Sequence, residues 1–116
     1  AQETEIGAAV HARAKSLLLW SILKGHSQLV SWLLQNNLDP NFSDDYGSTP
    51  LHAAGRFGTL EVFESLIPHI RDINAVDKGG MTALDFLNVS YVPGRDFEVL
   101  ERIRSAMVNA GANNAK

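Results

Sequence analysis

A spacing of 33 residues recurs along this 116-residue chain, and it restricts the fold more than any other property of the sequence. The clearest copy is the stretch from Asp44 to Ile67, which reads as a tight turn, a short capped helix, a glycine break and a second helix. Thirty-three positions earlier, Gly58 falls on Gly25, Leu51 on Leu18, Val62 on Leu29, Leu66 on Leu33 and Ile67 on Leu34. The same distance later, Asp44 falls on Asp77, Gly47 on Gly80, Thr49 on Thr82 and Leu51 on Leu84. The links match too, Asp39-Pro40-Asn41 against Asp72-Ile73-Asn74. Two short helices cannot enclose a core by themselves. A unit of this size is stable when copies on either side bury its apolar faces.

Each part of the unit has a physical reason. Asp44 can accept backbone N–H bonds and Gly47 can reach positive φ, so together they bracket a turn. Thr49 stands at the N-cap of the first helix and Pro50 at its first helical position, where a missing N–H costs nothing. Leu51, Ala53 and Ala54 give that helix small side chains suited to close packing. Gly58 is expected to end it in a left-handed conformation. Leu60, Val62, Phe63, Leu66 and Ile67 then form an apolar stripe at helical spacing.

A 33-residue unit of turn, helix and helix carrying Thr49-Pro50-Leu51-His52-x-Ala54 resembles the ankyrin repeat. Residues 44–74 match that pattern closely, residues 16–41 and 77–113 match it in part, and the first fifteen do not. The resemblance implies an all-α solenoid of about three stacked helix-turn-helix repeats with an N-terminal helical cap. The expected division is a cap helix at 1–15, repeats at 16–43, 44–76 and 77–113, and a tail at 114–116. The cap is expected to begin near Thr4 or Glu5 and is open to running on into the next helix. The first repeat should contain helices at Ser16–Lys24 and Ser27–Gln35, with Trp20, Leu23, Leu29, Val30, Trp32 and Leu33 supplying apolar area. For both tryptophans one edge should pack while the other meets water, the alternative being an exposed anchor for a partner.

The second repeat departs from the pattern at Pro68, which should end its second helix a turn early. The third departs further. Ala83 replaces the proline and Asp85 the histidine, although Thr82 and Asp85 keep the spacing of a capping box. Tyr91 stands where a glycine is expected, and aligning Gly111-Ala112 with the helix-ending pair implies about eight additional residues, placed as a loop near 91–96 before a helix at Phe97–Asn109. Inserted loops of solenoids lie on one face and often bind.

Composition narrows the function without choosing it. With 45% apolar and 20% charged residues, the chain falls in the ordinary globular range. A net charge of −3 weighs against nucleic acid, whose readers carry a basic patch. The longest apolar run, Leu17-Leu18-Leu19-Trp20, is far too short to cross a bilayer. Without cysteine there are no disulfides or thiolate metal sites, and the compartment is left open, the cytoplasm favoured and an exported setting the alternative. A start at Ala1 fits excision from a longer polypeptide or removal of an N-terminal segment equally well.

No catalytic pattern emerges. His11, His26, His52 and His69 are not spaced to chelate a metal from one helix face. Gly79-Gly80-Met81-Thr82 lacks the lysine and spacing of a phosphate loop. Neither enzymatic activity nor a cofactor is expected. The resemblance gives His52 a structural role, its ring bonding the turn region and tying neighbouring units, and His26 a structural role as well. It also implies a concave groove lined by turn tips and first helices. There Asp45, Tyr46, Ser48, Arg56 and Phe57 of the second unit, and Lys78 and Met81 of the third, occupy positions that packing leaves free, with Gly79, Val89 and Ser90 beside them. Aromatic, Met and Arg groups are interface composition. The implied function is a monomeric protein–protein interaction module. The alternatives are a regulatory or targeting segment of a larger enzyme or effector, and a small chaperone shielding one client. Leu66 and the following Asp72-Ile73-Asn74 resemble the context of hydroxylated ankyrin asparagines. Asn74 is therefore a modification candidate, unless it simply bonds the turn as Asn41 would.

Overall fold

Thr49 begins the central hairpin as its sequence requires. Its Oγ1 accepts from the His52 N–H at 3.3 Å while its own N–H donates to His52 Nδ1 at 3.1 Å, a reciprocal cap. Thr82 and Asp85 repeat the arrangement 33 residues on, with a carboxylate oxygen in place of the imidazole nitrogen. Threonine 59 and Asp96 cap the two later outer helices through Val62 and Val99.

These signals produce the order α1 (Gln2–Lys24), α2 (Ser27–Gln35), α3 (Pro50–Phe57), α4 (Leu60–Leu66), a 3-10 turn (Ile67–His69), α5 (Ala83–Val89) and α6 (Phe97–Asn109). The computed structural model describes residues 2–112, with side chains from Arg13 onward. The tail at 114–116 lies outside the described residues, and the side chain of His11 precedes the first described one. Among the described residues there is no strand. Helix α3 packs between α1 and α5, and α4 between α2 and α6. The result is an inner layer (α1, α3, α5) and an outer layer (α2, α4, α6), an all-α stack of helical hairpins. Pro68 ends α4 early, as expected. Helix α1 passes through residues 15 and 16 without a break, so the N-terminal segment and the first inner helix are one element.

The core runs along the seam between the layers. Leu18, Ile22, Val30, Leu33, Leu51, Val62, Phe63, Leu66, Leu84, Leu87, Ile103 and Met107 are all buried there. Leu23 and Val108, apolar by composition, stand exposed. Gly55 sets the spacing of the inner layer. A Cβ at that position would meet the Ala83 carbonyl oxygen at 2.5 Å, so α3 and α5 approach more closely than any side chain permits.

One expectation fails. Gly58 is not left-handed: its φ is −77° and ψ 155°, extended backbone, whereas Gly25 at the equivalent place has φ +74°. Gly25 closes α1 with the His26 N–H donating to the Ser21 carbonyl, the 6→1 bond of a Schellman end. Gly58 instead turns out at once into the Thr59 cap of α4. It is required for a different reason, since a Cβ there would meet the Ala54 carbonyl oxygen at 2.7 Å. The repeat keeps its position while the backbone solves the corner in two ways.

The links form a ladder. The Asn41 side-chain amide donates to the His69 carbonyl and its oxygen accepts from the Arg71 N–H, both at 2.8 Å. Asn74 donates to the Gly111 carbonyl at 2.9 Å. The Asp39 carboxyl is held below its ordinary pKa, chiefly by side-chain and backbone donation from Asn41 and less by the facing Arg71.

The inserted loop is anchored. Arg95 reaches back across the hairpin and donates to the carbonyls of Gly55 (3.1 Å), Ala54 (3.2 Å) and Gly58, capping the C-terminal end of α3 where a cation is favoured. Its guanidinium carbon lies 6.0 Å from the Phe63 ring centroid, and burial pulls its pKa below the ordinary value. Arg95→Ala removes the donor from the Gly55 and Gly58 carbonyls, leaves the Ala54 carbonyl only its bond from the Gly58 N–H, and is expected to destabilise by roughly 1–3 kcal/mol in chemical denaturation. Arg95→Lys should recover part of that loss, because a single ammonium cannot reproduce the fork.

Candidate docking groove

Asp44 builds the turn that carries the second repeat's tip. Its Oδ1 accepts from Tyr46 N–H at 2.8 Å and Ser48 N–H at 3.0 Å. Gly47 completes the turn with φ +76°, and a Cβ there would also approach the Asp77 backbone at 3.2 Å. Asp77 repeats the device with Gly79 and Met81, both donating to its Oδ1. The two tips are bonded to each other, Lys78 N–H donating to the Tyr46 carbonyl at 2.9 Å. Neighbouring tips therefore form one ordered edge.

Below that edge, between α1 and α3, lies an open groove of about 400 Å³. Leu19 and Leu23 of α1, Phe42 of the link, and Ala53 and Phe57 of α3 give it an apolar floor. Lys15, Ser48, Thr49 and Arg56 also line it. The two cations rest on aromatic rings. Lys15 Nζ lies 5.1 Å from the centroid of Phe42, and the Arg56 guanidinium carbon lies 5.3 Å from that of Phe57 and 5.4 Å from that of Phe86.

Of the positions singled out from sequence, the groove gathers Ser48, Arg56 and Phe57. Asp45, Tyr46 and Lys78 stand exposed on the tips, outside the lining, and Tyr46 is 75% exposed. Met81 is half-buried, its carbonyl 2.8 Å from His52 Nε2. A carbonyl only accepts, so Nε2 carries the proton and Nδ1 is left to accept from the Thr49 N–H. This ring fixes the cap of its own repeat and the turn of the next, while its face meets Phe86 edge-on with centroids 5.8 Å apart. Asp85, at the equivalent place in the last repeat, keeps the cap; there is no further turn for it to hold among the described residues. His26 lies exposed with its ring centroid 5.2 Å from that of Trp20.

Sequence reasoning missed Lys15, Leu19, Leu23 and Phe42. The signal was available for two of them. Applying the 33-step backward from Arg56 and Ser48 lands on Leu23 and Lys15. The tryptophans point elsewhere. Trp20 occupies the position of Phe86, which packs on Gly55 of the preceding repeat, and Trp32 that of Ser65, whose hydroxyl is 2.8 Å from Ser31 of the preceding repeat. Among the described residues no earlier repeat packs on them, and they are 46% and 57% exposed.

The opposite surface, between α4 and α6, has a different character. Glu64, Glu98 and Glu101 line it with Leu60, Phe97 and Arg102; Arg102 pairs with Glu98, and Glu101 also pairs with Arg104 of the same helix. Among the described residues no group of His, Asp and Glu could hold a metal ion, and no helix is long and apolar enough to cross a membrane.

A family profile of ankyrin repeats in three copies matches residues 7–101. The chain belongs to the ankyrin-repeat family. This ankyrin-repeat chain is 35% identical over 79 residues to mouse protein phosphatase 1 regulatory subunit 12A, covering 68% of the chain and 7% of that protein. It is 31% identical over 106 residues to the ARF GTPase-activating protein Git of Drosophila melanogaster, covering 90% of the chain and 13% of that protein. To ankyrin repeat domain-containing protein 37 of Bos taurus it is 39% identical over 54 residues, 47% of the chain and 34% of that protein. The chain thus spans about a third or less of the length of each of these relatives. Ankyrin repeats are protein-interaction modules, and the helical stack described above is of that kind.

Proposed function

We propose that this chain is a non-catalytic docking module that holds a protein partner in the groove between α1 and α3 and along the tips at Asp45, Tyr46, Ser48, Lys78 and Met81. The observation that carries the reading is the set of exposed apolar side chains in the groove. Leu19, Leu23 and Phe57 stay open to solvent although the core beside them is fully packed. Capped helices and bonded tips hold these groups in place beforehand, so binding orders little and loses little conformational entropy.

The relatives favour a second, compatible reading. One is named a regulatory subunit and another a GTPase-activating protein, and in both the matched stretch is a small part of the whole. In this reading the chain is the regulatory or targeting segment of a larger protein and recruits what the rest acts on. Asn74 stands as the modification candidate, which the intact mass of the chain from its native source reads out.

The test separates binding from folding. Affinity capture with the wild-type chain is compared with capture by a chain carrying Tyr46→Ala and Phe57→Ala. The proposal expects the client to be lost by the variant while its melting temperature moves by less than roughly 4 °C, the range of surface substitutions. A matching fall in stability would place those side chains in the core and remove the groove from consideration.

A further inference from the structure

The charge lining the groove is opposite in sign to that of the chain as a whole. The net charge is −3, yet the two charged side chains over the apolar floor that are not committed to a turn are cations, Lys15 and Arg56. Asp44 also lines the groove, but its Oδ1 already receives two backbone N–H groups of its own turn. Among the described residues neither cation has a carboxylate partner, whereas Arg71, Arg102 and Arg104 each do. Lys15 and Arg56 lie over aromatic rings instead, a contact that leaves their charge unneutralised. The outer face carries the exposed glutamates, so the groove is the part of this surface where an incoming carboxylate is favoured.

We infer that the groove recognises an acidic apolar peptide segment, in which aspartate or glutamate residues flank a leucine or aromatic anchor. The anchor enters among Leu19, Leu23 and Phe57, and the flanking carboxylates meet Lys15 at one end and Arg56 at the other. Arg56 offers a planar fork that binds a carboxylate by two parallel N–H bonds, and Lys15 a single mobile ammonium. The anchor supplies affinity by burial, and the charges supply orientation and rate of encounter. This inference rests on the docking reading given above, and it adds the chemistry of the partner.

The experiment pans a phage library displaying random 12-residue peptides against the folded full chain. The expected result is enrichment of sequences that combine Asp or Glu with Leu or Phe. Binding of an enriched synthetic peptide should fall on the order of tenfold with Lys15→Glu and with Arg56→Glu, and should weaken as salt is raised. Because Arg56 also packs on Phe86, the decisive variant is the one that inverts preference. Panning against Lys15→Glu with Arg56→Glu should return peptides carrying Lys or Arg beside the same apolar anchor, a change that a merely loosened fold would not produce. Enriched peptides that depend on Phe57 but carry no acidic residues would overturn the inference and leave the groove standing. A selection returning no peptide sensitive to Phe57→Ala would remove the groove and the inference together.

Discussion

Phe63→Ala is expected to lower the free energy of unfolding by roughly 3–5 kcal/mol, read from urea denaturation monitored by helical circular dichroism. The ring is fully buried in α4, the middle helix of the outer layer, with α2 on one side and α6 on the other. A cavity there has no easy way to collapse. Side chains cap the starts of α4 and of the α6 that packs on it, and the Arg95 guanidinium over the ring is held by three carbonyls. Domains of this size are stable by roughly 5–15 kcal/mol, so one substitution removes a large share of the total. In a stack, stability is a sum of repeat and neighbour-interface contributions, and Phe63 belongs to the repeat that has neighbours on both sides. A loss comparable to that of a surface substitution would mean that the repeats do not bury one another in this register.

His52→Ala is the second large effect, expected at roughly 2–4 kcal/mol. Only 1% of this residue is exposed, and its ring satisfies two groups at once. Truncation leaves the Thr49 N–H without a partner, leaves the Met81 carbonyl only its bond from the Asp77 N–H, and removes the edge contact with Phe86. Loss of a hydrophobic contact alone would be smaller. His52→Gln discriminates, because a glutamine at this place can return to the Thr49 N–H as in an ordinary capping box. Its recovery measures the share of the effect that belongs to the cap; the remainder belongs to the tie between the second and third repeats.

Much of this architecture was legible because the signals are local and repeated. Thr49 and Thr82 state where inner helices start, Asp44 with Gly47 and Asp77 with Gly80 state where tips turn, and Pro68 states where α4 stops. Each of these acts within a few residues of itself, so a sequence pattern captures it. Helices at Ser27–Gln35 and Phe97–Asn109 were bounded correctly for that reason. Gly58 was not, because two backbone solutions serve the same corner and the choice depends on whether the next residue caps the next helix. Arg95 was invisible for the opposite reason. Its partners lie 37 to 41 positions away and are reached from an insertion that has no counterpart in the other repeats. Gly55 sits inside a helix, where local rules read a glycine as a weakness, and only the facing Ala83 carbonyl shows why it is required.

The groove was half legible. Positions free of packing demands were named correctly as exposed for Asp45, Tyr46, Arg56, Phe57 and Lys78. Their division between tip and groove floor could not be read from one repeat, because the floor is made by two. Leu19 and Leu23 belong to a repeat whose turn signature is absent, since α1 runs through the place where a turn would stand. Phe42 lies in a link, and its ring becomes part of the lining because Lys15 rests on it.

Amide hydrogen exchange of the full chain, with and without an enriched peptide bound, tests the docking account most directly. The account predicts new protection in the second half of α1, in residues 42–49 and at the end of α3, with α4 and α6 unchanged. Protection centred on α4 and α6, or spread over the whole stack, would contradict it.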